Sequence, residues 1–200
     1  MPVRRYTKMS NATKSALIVV DVQRDFCEGG ALAAADTLSM LAPLQQAIEK
    51  ARRAGSTIVF TKDWHPASHS SFSPNGGPWP THCVENTPGA ELMPPIVASP
   101  SDIVIHKGVP IDGPGYSGFD DTGLASQLSQ RGISNVAVTG IATEYCVRAT
   151  ALDAATAGFS TVVLEDVIRA VNANETGKIL TELKNFGVGV ETVKQWLDKL

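Results

Sequence analysis

The sequence predicts an α/β fold in three layers, with a six-stranded, mostly parallel sheet between helices on both faces. Short, continuous apolar runs predict the strands, because a strand that is buried on both faces does not alternate apolar and polar side chains. Segments with helical apolar spacing separate these runs, and this alternation is typical of parallel sheets. The length of 200 residues suits one domain, and we expect the strand order 3-2-1-4-5-6.

The N-terminal half predicts three strands and one helix. Residues 16–20 form a continuous apolar run and predict the first strand. Residues 38–53 have apolar side chains at helical spacing, and Gly55 follows as a stop signal for this helix. Residues 57–60 and 102–105 are apolar again, so they predict the second and third strands.

The C-terminal half continues the alternation. The expected helices are residues 124–131, 144–157 and 175–185, and the expected strands are residues 135–138, 161–164 and 188–190. Gly132 and Gly158 follow two of these helices as stop signals, and Thr192 is a suitable cap for a last helix that ends at Leu200. Residues 64–101 are the one long irregular stretch, and long loops in compact domains are usually functional.

Charge and cysteine content narrow the class of partner and the compartment. The formal net charge of −3 argues against nucleic acid and anionic membrane, since both require a basic surface. No apolar run reaches the length of a membrane span, and residues 1–14 lack the apolar segment of a secretory signal. We expect these residues to be a flexible arm and residues 15–200 to be a single domain. The three scattered cysteines favour a reducing, cytoplasmic setting, and a homo-oligomer stays open.

One segment combines an aspartate with three of the four histidines. These residues are Asp63, His65, His69 and His82. Asp63 and His65 leave an extended chain on the same side, and the prolines and glycines before His82 let the chain fold back. A carboxylate with imidazoles suits one divalent metal ion, zinc first, with iron or manganese as alternatives. The other interpretation is that they are ordinary histidines of a surface loop, but their clustering favours the metal site.

Three further reactive side chains follow predicted strands. Asp21 comes directly after the first strand, Lys107 follows the third, and Cys146 lies near the start of the helix after the fourth. Ligands of open parallel sheets bind beyond the carboxyl ends of the strands, where the strand order reverses. We therefore expect these side chains and the metal cluster to share one crevice.

Cys146 is the candidate nucleophile. A cysteine in the first turn of a helix lies at the positive end of the helix dipole, which favours the thiolate, and the unpaired N–H groups there bind an oxyanion. Asp21 is a candidate base for the thiol proton, and Lys107 could pair with Asp21 and steady the developing charge. The alternative is that Cys146 packs in the core, as we expect for Cys27 and Cys83.

Together these motifs resemble the nicotinamidases, or pyrazinamidases, of the isochorismatase-like hydrolases. The resemblance covers residues 16–190 and rests on motifs that follow in the family's order. They are segments 20–32, 63–72, 79–84, 106–108, 116–119 and 140–148. The aspartate, lysine and cysteine are similar to those of the whole superfamily, whereas the Asp-x-His motif with two later histidines narrows the match to nicotinamidases.

The resemblance implies a role for each candidate residue. The catalytic triad would be Asp21, Lys107 and Cys146. The metal ligands would be Asp63, His65, His69 and His82. The substrate ring would lie against Phe26, Leu32, Trp79, Tyr116 and Ile141. The peptide bond between Ile141 and Ala142 would be cis, and the N–H groups of Ala142 and Cys146 would form the oxyanion hole.

The implied function is metal-dependent hydrolysis of nicotinamide, and also of pyrazinamide, through a cysteine thioester. The products would be nicotinate and ammonia, and nicotinate would feed NAD salvage. The alternative is a related isochorismatase-like hydrolase that acts on another small amide or on isochorismate, but a metal-free enzyme would not need the three histidines. A binding module without activity would be expected to lose Cys146 or Asp21, and a structural zinc protein would use cysteine-rich ligation.

Overall fold

The structure, a computed structural model, describes residues 14–113 and 115–200. The expected arm therefore lies outside the described residues, apart from Lys14, which belongs to the first strand. The strands are β1 Lys14–Val20, β2 Thr57–Asp63, β3 Ile103–Lys107, β4 Ile133–Ile141, β5 Ser160–Arg169 and β6 Gly189–Glu191. The helices are α1 Thr37–Arg53, α2 Leu124–Gln130, α3 Arg148–Thr156, α4 Thr176–Phe186 and α5 Val193–Leu197.

The six strands form one parallel sheet in the order β3-β2-β1-β4-β5-β6, which confirms the predicted fold class. The order reverses between β1 and β4, where Val20 pairs with Gly140. Gly140 has a φ of 116°, and a Cβ there would lie 2.0 Å from the carbonyl oxygen of Val20. Glycine is therefore required where the two strands separate and the crevice opens.

Two apolar layers cover the sheet. On one face, Leu17 and Phe60 pack in a cluster with Leu44 of α1 and Trp196 of α5. On the other face, a second cluster joins alternate residues of the same strands to three helices. It includes Ile18, Val59, Leu128 of α2, Ala151 of α3 and Leu183 of α4. Neighbouring residues of each strand thus face opposite layers, which explains why the central strands are apolar throughout.

Several strands run further than the apolar pattern predicted. β2 continues past Phe60 to Asp63, and β3 continues to Lys107, because parallel pairing joins Asp63 to Lys107 at the end of both strands. Polar side chains end an apolar run but do not end a hydrogen-bonded ladder. Asp63 and Lys107 are therefore the last residues of their strands, with the fixed direction of a sheet, whereas we expected both to come after the strand ends.

The irregular stretch between β2 and β3 is held by short local structure. It contains the 3₁₀ turns Ser73–Asn75 and Pro88–Ala90, and single bridges pair His65 with Val84 and Phe72 with Trp79. In the described part of the chain, none of the helices combines the length and apolar character that a membrane crossing needs.

Candidate active site

A cavity of about 280 Å³ lies beyond the carboxyl ends of β2 and β4. An aromatic group forms much of its wall: Phe26, Trp79, Tyr116 and Tyr145. A reactive group faces the same space: Asp63, His65, His82 and Cys146. The cavity therefore suits a small, flat ligand that carries a polar group to the sheet edge.

Asp21 is fixed at the point where the chain leaves β1. Its backbone has a φ of 47°, a left-handed conformation that turns the chain out of the sheet, and its side chain is fully buried. The hydroxyl of Thr61 donates a hydrogen bond to Asp21 Oδ1 at 2.6 Å. The second oxygen, Oδ2, lies 2.8 Å from Lys107 Nζ.

Lys107 is buried between the reactive groups. It ends β3, so its side chain reaches across the end of β2 to Asp21, and Nζ forms ion pairs with both Asp21 and Asp63. Nζ also donates to the carbonyl of Gly115 at 3.1 Å and lies 3.4 Å from Cys146 Sγ. Burial alone would lower the pKa of Lys107, but the two carboxylates outweigh it and hold the pKa well above its usual value. Lys107 is therefore a permanent cation.

Cys146 lies in a π-helical turn, Thr143–Val147, that precedes α3. Its Sγ and one carboxylate oxygen from each of Asp21 and Asp63 lie within 4.8 Å of one another. Burial raises the pKa of the Cys146 thiol well above its usual value; Lys107 opposes this rise, and Asp21 and Asp63 add to it. The thiol therefore keeps its proton at rest, in contrast to the thiolate that a helix start favours.

The two carboxylates beside Lys107 have opposite pKa shifts. Burial raises the pKa of Asp21 to about 6, against the opposing effect of Lys107 and with a further rise from Asp63. Burial would also raise the pKa of Asp63, but Lys107 and His65 outweigh it and hold this pKa below its usual value. Neighbouring carboxylates with separated pKa values are typical of acid–base assignments. Asp21 is thus suited to exchange a proton near neutral pH, whereas Asp63 stays ionised.

Two histidines present their Nε2 atoms beside Asp63. His65 Nδ1 lies 2.8 Å from the carbonyl oxygen of Gly108, and His82 Nδ1 lies 2.7 Å from that of Pro80. A carbonyl only accepts, so each Nδ1 donates and each Nε2 carries a free lone pair. Gly108 has a φ of 65°, and a Cβ there would lie 2.3 Å from His65 Cε1, so the support of His65 requires glycine.

His69 is placed less tightly than the other two. Its ring centroid lies 4.2 Å from that of His65, but its ligand atoms fall outside the group within 4.8 Å that Asp63, His65 and His82 form. Its Nδ1 lies 2.7 Å from the Ser71 hydroxyl, which allows either tautomer, and accepts from the Ser71 N–H at 3.2 Å, which places the proton of a neutral ring on Nε2. Its Nε2 is buried and has no hydrogen-bond partner among the described residues.

The family model described as the Isochorismatase domain matches residues 15–195, which is most of the chain. The chain belongs to the isochorismatase family. This confirms the resemblance seen in the sequence.

Within the isochorismatase family, the similar proteins include nicotinamidases and pyrazinamidases. The nicotinamidase/pyrazinamidase of Mycobacterium tuberculosis is 40% identical over 179 residues, which cover 86% of this chain and 96% of that relative. The pyrazinamidase of Pyrococcus horikoshii in complex with zinc is 42% identical, with a TM-score of 0.87 over 90% of this chain and 99% of that chain. The yeast nicotinamidase bound to the inhibitor nicotinaldehyde is 31% identical, with a TM-score of 0.84 over 89% and 99% of the two chains.

The wall of this isochorismatase-family cavity differs in part from the predicted one. The cavity is lined by four of the residues that the resemblance assigns to the substrate ring: Phe26, Leu32, Trp79 and Tyr116. Ile141 does not line it: its side chain is fully buried in the apolar core, because it points from the end of β4 into the layer beside α1. The Ile141–Ala142 peptide bond is cis, and Ala142 lies on the cavity wall.

Tyr145 and Val171 line the cavity but were absent from the prediction. Tyr145 precedes the candidate nucleophile, and its ring lies edge-on to Trp79 with centroids 5.2 Å apart. Its place next to Cys146 is a sequence signal that could have indicated a wall residue. Val171 follows β5 in an exposed segment, and no local pattern distinguishes it.

The donor set fits a divalent metal ion. Asp63 Oδ2 lies 3.5 Å from His65 Nε2, and the buried Nε2 of His69 lacks any other partner among the described residues. Burial lowers the pKa values of His69 and His82, so both rings are neutral, as metal ligands must be. One carboxylate and imidazole nitrogens suit zinc, iron or manganese.

Proposed function

We propose that this chain hydrolyses the carboxamide of nicotinamide to nicotinate and ammonia, and that it accepts pyrazinamide as well. One observation carries the proposal: Cys146, Asp21 and Lys107 meet beside an aromatic cavity that also holds the Nε2 atoms of His65 and His82. Relatives named as nicotinamidase or pyrazinamidase support the substrate class.

The setting of this activity is also part of the proposal. We place the catalytic unit in a single domain, residues 15–200, and the enzyme in the cytoplasm, where nicotinate would feed NAD salvage. The free cysteines Cys27, Cys83 and Cys146 support a reducing compartment. The substrate is a small molecule, and the net charge of −3 supports neither nucleic acid nor membrane as a partner.

One divalent metal ion, most simply zinc, would be held by Asp63, His65, His69 and His82. When bound, it would supply a Lewis-acid contact for the pyridine nitrogen and so orient the ring. Asp63 also forms an ion pair with Lys107, so one proposed metal ligand contacts the lysine of the proposed triad directly. Phe26 and Trp79 would hold the flat faces of the ring, and Tyr145 packs behind Trp79.

The first half of the reaction forms a thioester. Asp21 accepts the proton of the Cys146 thiol, and the sulfur attacks the carboxamide carbon. The N–H groups of Ala142 and Cys146 stabilise the oxyanion. The positive charge of Lys107 offsets the negative charge that develops near the carboxylates of Asp21 and Asp63. Asp21 then gives its proton to the amide nitrogen, the carbon–nitrogen bond breaks, and ammonia leaves.

The second half of the reaction releases nicotinate. A water molecule takes the place of ammonia, and Asp21 accepts one of its protons as its oxygen attacks the thioester carbon. The carbon–sulfur bond then breaks, and the proton on Asp21 returns to the sulfur. A pKa of Asp21 near 6 suits both directions of this transfer.

The test is ammonia release from nicotinamide by the purified protein, measured before and after chelation together with the metal content. We expect release by the metal-loaded protein, loss on chelation and recovery when zinc is added back. Release from other small amides but not from nicotinamide would indicate a related amidase. No release from any amide by the loaded protein would reject an amidase function.

A further inference from the structure

A carboxylate joins the turn that carries the nucleophile to the segment after β5. Glu144 lies in the same π-helical turn as Cys146. Its Oε2 accepts a hydrogen bond from the N–H of Val171 at 3.3 Å, and its Oε1 accepts from the N–H of Asn172 at 2.8 Å. One side chain thus binds two successive N–H groups of another segment.

Val171 is the part of that segment that reaches the substrate cavity. Among the described residues that line the cavity, Val171 alone comes from the segment between β5 and α4. It is 40% exposed, whereas the preceding Ala170 is buried. Val171 therefore lies at the rim of the cavity, between the ligand space and solvent.

The rest of the segment is anchored without Glu144. Before Val171, Arg169 donates to the carbonyl of Asp36 at 2.9 Å and to the Ser39 hydroxyl at 2.7 Å. After it, the Asn172 side chain accepts from the N–H of Asn174 at 3.2 Å and caps a 3₁₀ turn. Glu144 supplies the contact that fixes the rim residue between these two anchors.

We propose that Glu144 is a positioning residue that sets the rim of the substrate cavity, and that Val171 is the specificity-determining side chain that it positions. The inference rests on the proposed amidase function and deepens it. The contacts of Glu144 run to the rim and not to Asp21, Lys107 or Cys146. Removal of the Glu144 carboxylate should therefore weaken substrate binding in the ground state and reduce discrimination against substrates with ring substituents. The rate of the chemical step should be unchanged.

Glu182 offers a matched control. Its carboxylate pairs with Arg148 and joins α4 to α3, so it is a second partly exposed carboxylate contact beside the nucleophile turn, but it does not touch the rim. Glu144→Ala should raise the KM for nicotinamide by about tenfold with kcat within about twofold, whereas Glu182→Ala should change neither. The KM of Glu144→Gln should lie between those of the wild type and Glu144→Ala. A side-chain amide has one acceptor oxygen, so it can replace only one of the two carboxylate oxygens that accept from the rim N–H groups.

Val171→Ala tests the rim itself while the Glu144 contact stays in place. It should raise kcat/KM for ring-methylated nicotinamides relative to nicotinamide, and Glu144→Ala should shift the preference in the same direction. If the ratio of kcat/KM for ring-methylated nicotinamides to that for nicotinamide were unchanged in both variants, Val171 would not set specificity.

Hydrogen exchange at the Asn172 amide tests the contact with Glu144 without substrate, so its result does not depend on the proposed function. Exchange should be faster in Glu144→Ala than in the wild type or Glu182→Ala. Absence of any amidase activity in the wild type would reject the proposed function and, with it, the role in specificity. If the wild type releases ammonia but Glu144→Ala and Glu182→Ala agree in KM and exchange, the inference alone is wrong. A fall in kcat at unchanged KM in Glu144→Ala would also overturn it.

Discussion

The two sides of the cavity are built in different ways. On the triad side, Asp21 directly follows β1, Lys107 ends β3, and Cys146 comes from the turn after β4. On the histidine side, His65, His69 and His82 come from the irregular stretch between β2 and β3. The end of β3 and the exits from β1 and β4 place the first group, whereas hydrogen bonds at Nδ1 orient the second: His65 and His82 donate to carbonyl oxygens, and His69 contacts Ser71.

This difference indicates a division of tasks. The proposed mechanism requires an unchanging distance between Asp21, Lys107 and Cys146, and a sheet edge supplies that rigidity. The histidine side requires Nε2 lone pairs that point toward one position. The carbonyl oxygens of Gly108 and Pro80 provide this for His65 and His82, because each accepts a hydrogen bond from Nδ1. Asp63 belongs to both sides, because it ends β2, pairs with Lys107 and lies beside His65.

The largest expected effect is on the triad side. Cys146→Ala should lower kcat by at least about 10³-fold, because no other described side chain at the cavity offers a thiol beside Asp21. The fold and the metal content should be unchanged, since the histidine side does not depend on the sulfur. Ammonia release within about tenfold of the wild type would reject Cys146 as the nucleophile.

The next effect separates the histidines from one another. His65→Ala should weaken metal affinity by more than about 100-fold, whereas His69→Ala should have a smaller effect, because His69 lies outside the tight group of ligand atoms. Competition with a chelator of known affinity measures both values. An equal or greater loss in His69→Ala would show that the metal centre lies nearer His69 than these distances indicate.

A smaller loss of metal affinity should follow from a side chain at Gly108, whose backbone lies against the His65 ring. Gly108→Ala places a methyl group against the His65 ring and should lower metal affinity by about tenfold. Gly158→Ala is the control: its φ of 91° gives a similar backbone penalty, but nothing lies within 4 Å of its Cβ position. If both variants bound metal alike, the contact with His65 would have no role in ligand placement.

The effect of pH is the smallest near neutral pH, where Asp21 is already mostly ionised. Asp21 must be ionised to accept the thiol proton, and its pKa is raised to about 6, so kcat/KM should fall as the pH drops below about 6 and be level above it. The change should be about tenfold per pH unit well below the midpoint. The profile is measured at saturating metal with the bound metal monitored. A flat profile down to about pH 5 with metal retained would contradict the role of Asp21.

The sequence predicted the sheet order and brought the reactive residues to one edge because both depend on strong, repeated signals. Apolar runs and helical spacing define the layers, and Asp21, Lys107 and Cys146 each lie at or just after the end of a strand. The end of β2 was predicted too early, because Thr61, Lys62 and Asp63 are polar and end the apolar run while the ladder continues.

What the sequence did not predict depends on side-chain direction and on contacts between distant segments. Ile141 resembled a wall residue but points into the core, since the end of β4 decides which layer it faces. The pairing of Lys107 with Asp63 joins residues 44 positions apart, and Val171 reaches the rim through Glu144, 27 positions away. No local pattern carries that information.

The division of tasks is tested most directly by comparing nicotinamide with benzamide. Benzamide keeps the flat ring and the carboxamide but lacks the ring nitrogen that the histidine side is proposed to orient. We expect kcat/KM for benzamide to be lower by about 100-fold or more in the wild type, because a site built for a polar atom rejects the analogue that lacks it. We also expect this difference to shrink in His65→Ala. Equal values for the two amides in the metal-loaded wild type would contradict the account, even if the triad proved correct.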